Sequence, residues 1–145
     1  MNGGEMTDDE SKALGLRAMA AGMEWTRGCL DGSTGMTVLA AWHIGGSTAA
    51  MAAFGLHQSH TISLWQQSNL GWPDLRDPAT LGVLLAQVRE AWEPHRGSDY
   101  IASTMHTGTG WGVRARYGSE GLATIVECTH ETEAEALVAA LEAAD

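Results

Sequence analysis

The stretch from Asp74 to Ala144 constrains the fold most, because its start, stop and turn signals follow one another without a gap. Asp77 is a good helix N-cap, and Pro78 stands at the first helical position, where its missing N–H costs nothing. One amphipathic stripe follows at helical spacing: Leu81, Leu84, Leu85, Val88 and Trp92. The pattern predicts a helix from Pro78 that Pro94 ends.

The same stretch then predicts a hairpin, a third strand and a second helix. Tyr100–His106 and Trp111–Tyr117 flank the turn-forming Thr107–Gly110. Leu122–Thr129 is rich in β-favouring residues and reads as a third strand. The capping-box spacing of Thr132–Glu135 opens a final helix.

The first forty-four residues carry weaker signals. The capping box Thr7–Glu10 opens a helix that we expect to run to about Ala21. Trp25–Leu30 is predicted to be a short strand, closed by the turn residues Asp31–Gly35. Met36–Ile44 is apolar at both alternating sets of positions, which is typical of an inner strand.

The segment that follows is harder to interpret. Gly45-Gly46 suits a hairpin turn, and this position favours a returning strand over Ser47–Phe54, although its alanines favour a helix. Thr61–Trp65 is β-like, and Gln66–Trp72 is predicted to be a loop. We therefore expect strands here, with residues 45–72 forming an atypical insert.

The order of elements predicts the fold class. Helices and groups of strands alternate without the strict β–α repeat of a parallel sheet, so an antiparallel sheet packed with about three helices is the natural arrangement. With 145 residues, the chain has the size of one domain. We predict a single α+β domain over residues 1–145, a layered sandwich with residues 1–6 as a flexible leader.

The charge narrows the choice of partners. A net charge of −10 repels phosphate backbones, so general nucleic-acid binding is disfavoured, whereas a basic partner or a small ligand is not. No signal peptide or membrane-spanning run is apparent, and Cys29 and Cys128 lack any C-x-x-C spacing. These features predict a cytoplasmic protein with two free thiols, no cofactor and no membrane association.

Three segments resemble a known family. "ALGLRAMAAGMEWTRG" (Ala13–Gly28), "PDLRDPATLGVLLAQVREAW" (Pro73–Trp92) and "ETEAEALVAALEAAD" (Glu131–Asp145), with a strand-type Trp111, are similar to the phage ABA sandwich domain. The resemblance implies an α/β sandwich and a small phage or prophage accessory protein. It implies no activity, because the family offers no catalytic residues to carry over, and residues 36–72 lie outside it.

The sequence contains no strong pattern of catalytic or metal-binding residues. On a helix, His57 and His60 would present two imidazoles on one side and could coordinate a metal ion. In a strand their side chains would point to opposite faces. We interpret them as loop histidines. No G-x-S-x-G elbow occurs, and a Cys–His neighbour pair such as Cys128 and His130 does not make a dyad. An enzyme is therefore not the favoured interpretation.

Arg114 and Arg116 are the most suggestive pair for binding, since they alternate with Trp111 and so share the solvated face of a strand. Guanidinium groups bind phosphates and carboxylates through paired hydrogen bonds. The predicted ligand-binding residues are Arg114, Arg116, Trp65, Trp72, Arg76 and Trp111. The alternative is that the two arginines pair with Glu120 or Glu127 and that the tryptophans belong to the core.

The sequence thus predicts a small acidic phage-type accessory protein that acts by binding. Its expected role is anti-defence or host interaction, either by sequestering a nucleotide-like anion or by blocking a host protein. Two alternatives stay open: a small hydrolase of an unrecognised type that uses His57 and His60, and a structural module whose insert or sheet edges form a homo-oligomer.

Overall fold

The computed structural model describes residues 6–44, 47–53, 63–66, 71–96, 100–117 and 122–144. These residues form three helices: α1 (Asp8–Ala20), α2 (Pro78–Arg96) and α3 (Glu133–Ala143). They also form six strands, which are β1 (Thr37–Ile44), β2 (Ser47–Ala53), β3 (Ser63–Gln66), β4 (Tyr100–Thr107), β5 (Gly110–Tyr117) and β6 (Leu122–His130). The strands make two antiparallel sheets, β1-β2-β3 and β4-β5-β6.

The helices pack on one face of the β4–β6 sheet, which confirms the predicted α+β class. Helix α3 contacts all three of these strands and both other helices, and α2 lies beside it on β4. Side chains from every layer meet in one core, in which Leu84, Val113 and Leu137 are fully buried. Helix α3 is therefore the central element of the fold.

Most of the local signals are confirmed. Thr7 and Glu10 form both hydrogen bonds of the capping box at the start of α1, and Thr132 accepts from the backbone N–H of Glu135 at the start of α3. The β4–β5 hairpin turns over Gly108 and Thr109, and Gly110 at the start of β5 has a φ of +139°, which is open to glycine and strained for other residues. Strand β2 returns antiparallel on β1, as its position in the sequence predicts.

Three predictions about elements are wrong. Trp25–Leu30 makes only one isolated bridge, at Leu30, because Gly28 has a φ of +100° and interrupts the extended chain. Helix α2 continues past Pro94 to Arg96, since a proline so close to the end removes few helical hydrogen bonds. Strand β1 is not an inner strand but an edge strand, because β2 lies at the centre of its sheet.

The residues before and after the β1–β3 sheet lie side by side and are joined by hydrogen bonds. The backbone N–H of Gly32 donates to Trp72 O (2.8 Å), and that of Asp74 donates to Leu30 O (2.8 Å). The buried Asp31 carboxylate reinforces this junction by accepting from the backbone N–H of Gly71 at 3.1 Å. The two ends of the predicted insert are thus held together at one junction.

Two helical glycines give opposite expectations for the same substitution. A Cβ on the buried Gly15 of α1 would lie 2.6 Å from Pro73 O and 3.1 Å from Trp72 Cβ, whereas one on Gly82 of α2 would meet nothing within 4 Å. We expect Gly15→Ala to lower the free energy of unfolding by about 1–3 kcal/mol, because backbone must move. Gly82→Ala should raise it by about 0.5–1 kcal/mol through helix propensity. Urea denaturation of both variants measures this, and equal effects would contradict the contact at Gly15.

Candidate functional site

The outer face of the β4–β6 sheet, the one away from the helices, carries a row of hydrogen-bond donors. Arg114 on β5 is directly paired with Ser103 on β4 and with Thr124 on β6. Directly paired residues share a face with Cβ atoms about 5 Å apart, so the Arg114 side chain leaves the sheet between those of Ser103 and Thr124. We call Ser103, Arg114 and Thr124 the donor row. Ser103 and Thr124 are exposed, and Arg114 is half-buried.

The opposite face of the same strand belongs to the core. Val113 and Ala115, on either side of Arg114, are fully buried beneath the helices. Trp111 also packs against this core, and its ring centroid lies 4.9 Å from that of His106. The predicted alternation along β5 is therefore confirmed, and it places Trp111 on the other side of the sheet from Arg114.

Arg114 has no hydrogen bond or ion pair to any other described residue. Most other arginines whose side chains are described do have partners: Arg17 pairs with Glu142 at 2.7 Å, and Arg89 donates to Ala102 O at 2.7 Å. The sequence alternative in which Glu127 pairs with Arg114 is not what the structure shows, and Glu120 lies outside the described residues. The Arg114 guanidinium thus has no acceptor among the described residues.

Arg76 is committed to a structural role at the junction with α1. Its Nε and Nη2 donate to the two oxygens of Asp74, and its Nη1 donates to Asp8 at 2.8 Å. These bonds raise the pKa of Arg76. Burial alone would raise the pKa of Asp74, but the Arg76 side chain and backbone and the Ser11 hydroxyl outweigh it and hold that pKa below its usual value.

Trp72 is likewise occupied by packing. The Lys12 ammonium lies 5.2 Å from the centroid of a Trp72 ring, in a cation–π contact. Its indole rests against Gly32, where any Cβ would collide with the ring, and against Gly15 of α1. Trp72 and Arg76 therefore fasten α1 to residues 71–76 and face α1, not the donor row.

The last two predicted site residues are placed by backbone only. Trp65 lies in β3 opposite Ala50, and Arg116 lies in β5 between Ile101 and Leu122, one step along the outer face from Arg114. Their side chains lie outside the described part of the structure. The six predicted residues thus do not form one described pocket: Arg114 and Arg116 lie on the outer face of β5, and Trp72 and Arg76 lie at the junction with α1.

Two neighbouring cavities lie between α1 and the start of α3. One has a volume of about 230 Å³ and is bordered by Glu10, Arg17, Glu131 and Glu135. The other has a volume of about 410 Å³ and is bordered by Leu75, Arg76, Leu81 and Glu133. Met6 and Thr132 border both. We call this pair the α1–α3 groove; its rim is mainly acidic.

The predicted catalytic and metal-binding residues gain no support from the geometry. His57 and His60 lie outside the described residues. Among the residues that are described, no group of three His, Cys, Asp or Glu side chains could hold a metal. Cys29 and Cys128 are free thiols, and burial raises the pKa of Cys29, which disfavours the nucleophilic thiolate. Within the described ranges, no helix is long and apolar enough to cross a membrane.

Comparison with models of protein families, with curated proteins and with solved structures finds no match to this chain. The resemblance to the phage ABA sandwich domain therefore stays a prediction from the sequence. The features of the described structure that bear on function are the donor row and the α1–α3 groove.

Proposed function

We propose that the protein is a non-catalytic binding protein that holds a phosphate- or carboxylate-bearing ligand on the outer face of β4–β6. The observation that carries this proposal is Arg114, which is paired on the outer face with Ser103 on one side and Thr124 on the other and whose guanidinium has no described partner. A guanidinium donates two parallel hydrogen bonds to an oxyanion, and flanking hydroxyls add single donors. Arg116 is the next residue along the same face of β5.

The acidic character of the chain limits the size of that ligand. With a net charge of −10, the surface as a whole repels a polyanion such as a nucleic acid. A short anion can contact the donor row alone and avoid the carboxylates of the α1–α3 groove. A nucleotide-like ligand meets both conditions, with its phosphate on Arg114.

The resemblance to phage proteins extends the proposal to a biological role. We propose a phage-type accessory protein in the cytosol of the host, which sequesters a nucleotide-like anion and thereby acts against host defence. Sequestration differs from catalysis in leaving the ligand intact, so the two are separable by experiment.

Removal of the Arg114 side chain is the direct test. We expect Arg114→Ala to weaken the binding of a nucleotide by about 10- to 100-fold, because a charge-assisted hydrogen bond contributes about 1.5–3 kcal/mol. Isothermal titration calorimetry with a panel of mono-, di- and cyclic nucleotides and with inorganic phosphate measures the dissociation constants. Mass spectrometry of the ligand after incubation should recover it unchanged.

Arg27→Ala is the matched control. Arg27 is an exposed turn arginine without a hydrogen bond to any described residue, so its loss changes the net charge equally and leaves the donor row intact. Equal weakening by Arg27→Ala and Arg114→Ala would show a general charge effect and contradict the site. Consumption of the nucleotide by the wild-type protein would instead favour the hydrolase alternative.

The α1–α3 groove supports a second candidate, the blocking of a basic host protein. The observation that favours it is the charge of the groove: four glutamates, Glu10, Glu131, Glu133 and Glu135, are among the residues that line the two cavities. Such a surface accelerates association with a basic partner. This candidate takes precedence if neither phosphate nor any nucleotide binds the wild-type protein.

A further inference from the structure

A second row of side chains lies beside the donor row on the outer face of the β4–β6 sheet. Gly112 precedes Arg114 by two residues on β5, so both belong to the same face. On β4, Met105 is paired directly with Gly112. On β6, Cys128 lies against the same glycine: a Cβ on Gly112 would be 2.8 Å from Cys128 Sγ. We call Met105, Gly112 and Cys128 the sulfur row.

The position of Cys128 results from an irregularity of β6. Opposite residues 111–113 of β5, strand β6 places residues 126–130, two more than a regular ladder needs. Bulges of this kind re-aim side chains and are frequent beside functional sites. Gly112 permits the bulge, since a Cβ there would collide with the backbone of β6. The Thr109 hydroxyl donates to Cys128 O at 2.8 Å and holds the bulged segment in place.

The sulfur row gives the outer face an apolar strip that is partly exposed. The side chains of Met105 and Cys128 are half-buried, and neither is part of the core that the helices cover. Thioether and thiol sulfurs are soft and polarisable, and they make favourable contacts with aromatic rings. The chemistry of this row therefore suits the flat ring of an aromatic group and not a second charged group.

The separation of the sulfur row from the donor row suits a nucleotide. Residues two apart on one strand, such as Gly112 and Arg114, lie roughly 6.8 Å apart along it. One pentose joins the phosphate of a nucleoside monophosphate to its base, and it spans a comparable distance. A phosphate on Arg114 therefore places the base within reach of Met105 and Cys128, whereas a bare phosphate does not reach them.

We propose that the sulfur row binds the aromatic base of the ligand and thereby makes the site selective for nucleoside phosphates over simple phosphates and carboxylates. This inference rests on the anion site proposed for Arg114, and it names the ligand class of that site. Arg114 holds the phosphate, and Met105 and Cys128 cover one face of the base. Because this contact is one-sided, we expect the base to tighten binding by about 10-fold.

Two ligands that differ in the base test the proposal directly. AMP and ribose 5-phosphate carry the same phosphate on the same sugar, and only AMP carries a base. Isothermal titration calorimetry of the full chain with each ligand should give a dissociation constant about 10-fold lower for AMP. Equal dissociation constants would overturn the sulfur row and leave the anion site on Arg114 standing. Binding of neither ligand would overturn both.

Variants of Met105 test the contact with the base. Met105→Ala removes apolar surface from the row, so the ratio of the two dissociation constants should fall from about 10-fold to about 2-fold. Met105→Leu keeps the apolar volume and should restore most of the ratio. Leu16→Ala is the matched control, since it shortens an exposed apolar side chain of α1 and should leave the ratio at its wild-type value. A wild-type ratio in Met105→Ala would contradict the proposal.

The Cys128 thiol gives a readout that needs no substitution. Cys29 is 0% exposed, so N-ethylmaleimide should alkylate the native protein first at Cys128, which peptide mass mapping checks. Saturating AMP should slow this alkylation by about 5-fold or more and ribose 5-phosphate by less than about 2-fold, because only the base covers the sulfur. Equal protection by the two ligands would overturn the proposal. A Cys128 that stays unreacted in the free protein would also overturn it, since the row would then be closed to a ligand.

Discussion

Replacement of Asp31 by alanine is expected to lower the free energy of unfolding by about 3–5 kcal/mol, because one buried carboxylate organises the junction below the β1–β3 sheet. Its Oδ1 accepts from the backbone N–H of Ser33 (3.0 Å), the Ser33 hydroxyl (2.8 Å) and the backbone N–H of Gly71 (3.1 Å). Its Oδ2 accepts from the Thr34 hydroxyl at 2.9 Å. The Asp31 side chain is 0% exposed, and alanine would leave these part-buried donors without their protein acceptor.

The loss should appear first as local opening. Asp31 joins the residues before the β1–β3 sheet to those after it, beside the bond from Gly32 N–H to Trp72 O. Without the carboxylate, this junction is weakened and the segment beyond it becomes accessible before the core unfolds. Limited chymotrypsin digestion should therefore cut Asp31→Ala within residues 32–73 well before the wild-type protein, while urea denaturation gives the global loss.

Asp31→Asn is the control that separates the hydrogen bonds from the rest of the side chain. The amide oxygen can accept the three bonds that Oδ1 accepts, and only the bond at Oδ2 must be rearranged. We expect a loss of about 1 kcal/mol and a digestion pattern like that of the wild-type protein. If both variants lose the same stability, the carboxylate network is not what holds the junction.

The elements that the sequence predicted well are those with local signals. The capping residues Thr7, Asp77 and Thr132 act on N–H groups within three residues of themselves, so their effect is legible in the sequence alone. Strand β1 was placed at the wrong position in its sheet because edge or centre depends on what lies beside it, not on its own residues.

The candidate site likewise combines features that local sequence predicts with contacts that it does not. Alternation along β5 was sufficient to put Arg114 and Trp111 on opposite faces. The sequence does not show the pairing of Thr124 with Arg114, because β6 is irregular at Ile125 and its register against β5 shifts there by one residue. The pairing of Ser103 with Arg114 follows from the regular register of the β4–β5 hairpin and could have been predicted from its turn. Trp72 and Arg76 were assigned to the ligand because their partners, Lys12 and Asp8, are about sixty residues away in the sequence.

Replacement of Leu137 by alanine should produce a large loss of stability. Leu137 is fully buried in α3, the helix that contacts α1, α2 and all three strands of β4–β6. The missing methyl groups leave a cavity that no single neighbour can fill, so we expect a loss of about 2–5 kcal/mol. Differential scanning calorimetry should show a midpoint lower by about 10 °C or more.

Leu16→Ala is the same substitution on the surface of α1, where Leu16 is 44% exposed, and it should cost less than about 1 kcal/mol. The comparison also tests whether scaffold and site are separate, because Leu137 lies under the helix-facing side of the sheet and the donor row lies on the other. At a temperature at which Leu137→Ala is still folded, its dissociation constant for phosphate or a nucleotide should therefore equal that of the wild-type protein. A loss of affinity in parallel with the loss of stability would place the ligand within the helical layer, in the α1–α3 groove, and not on Arg114.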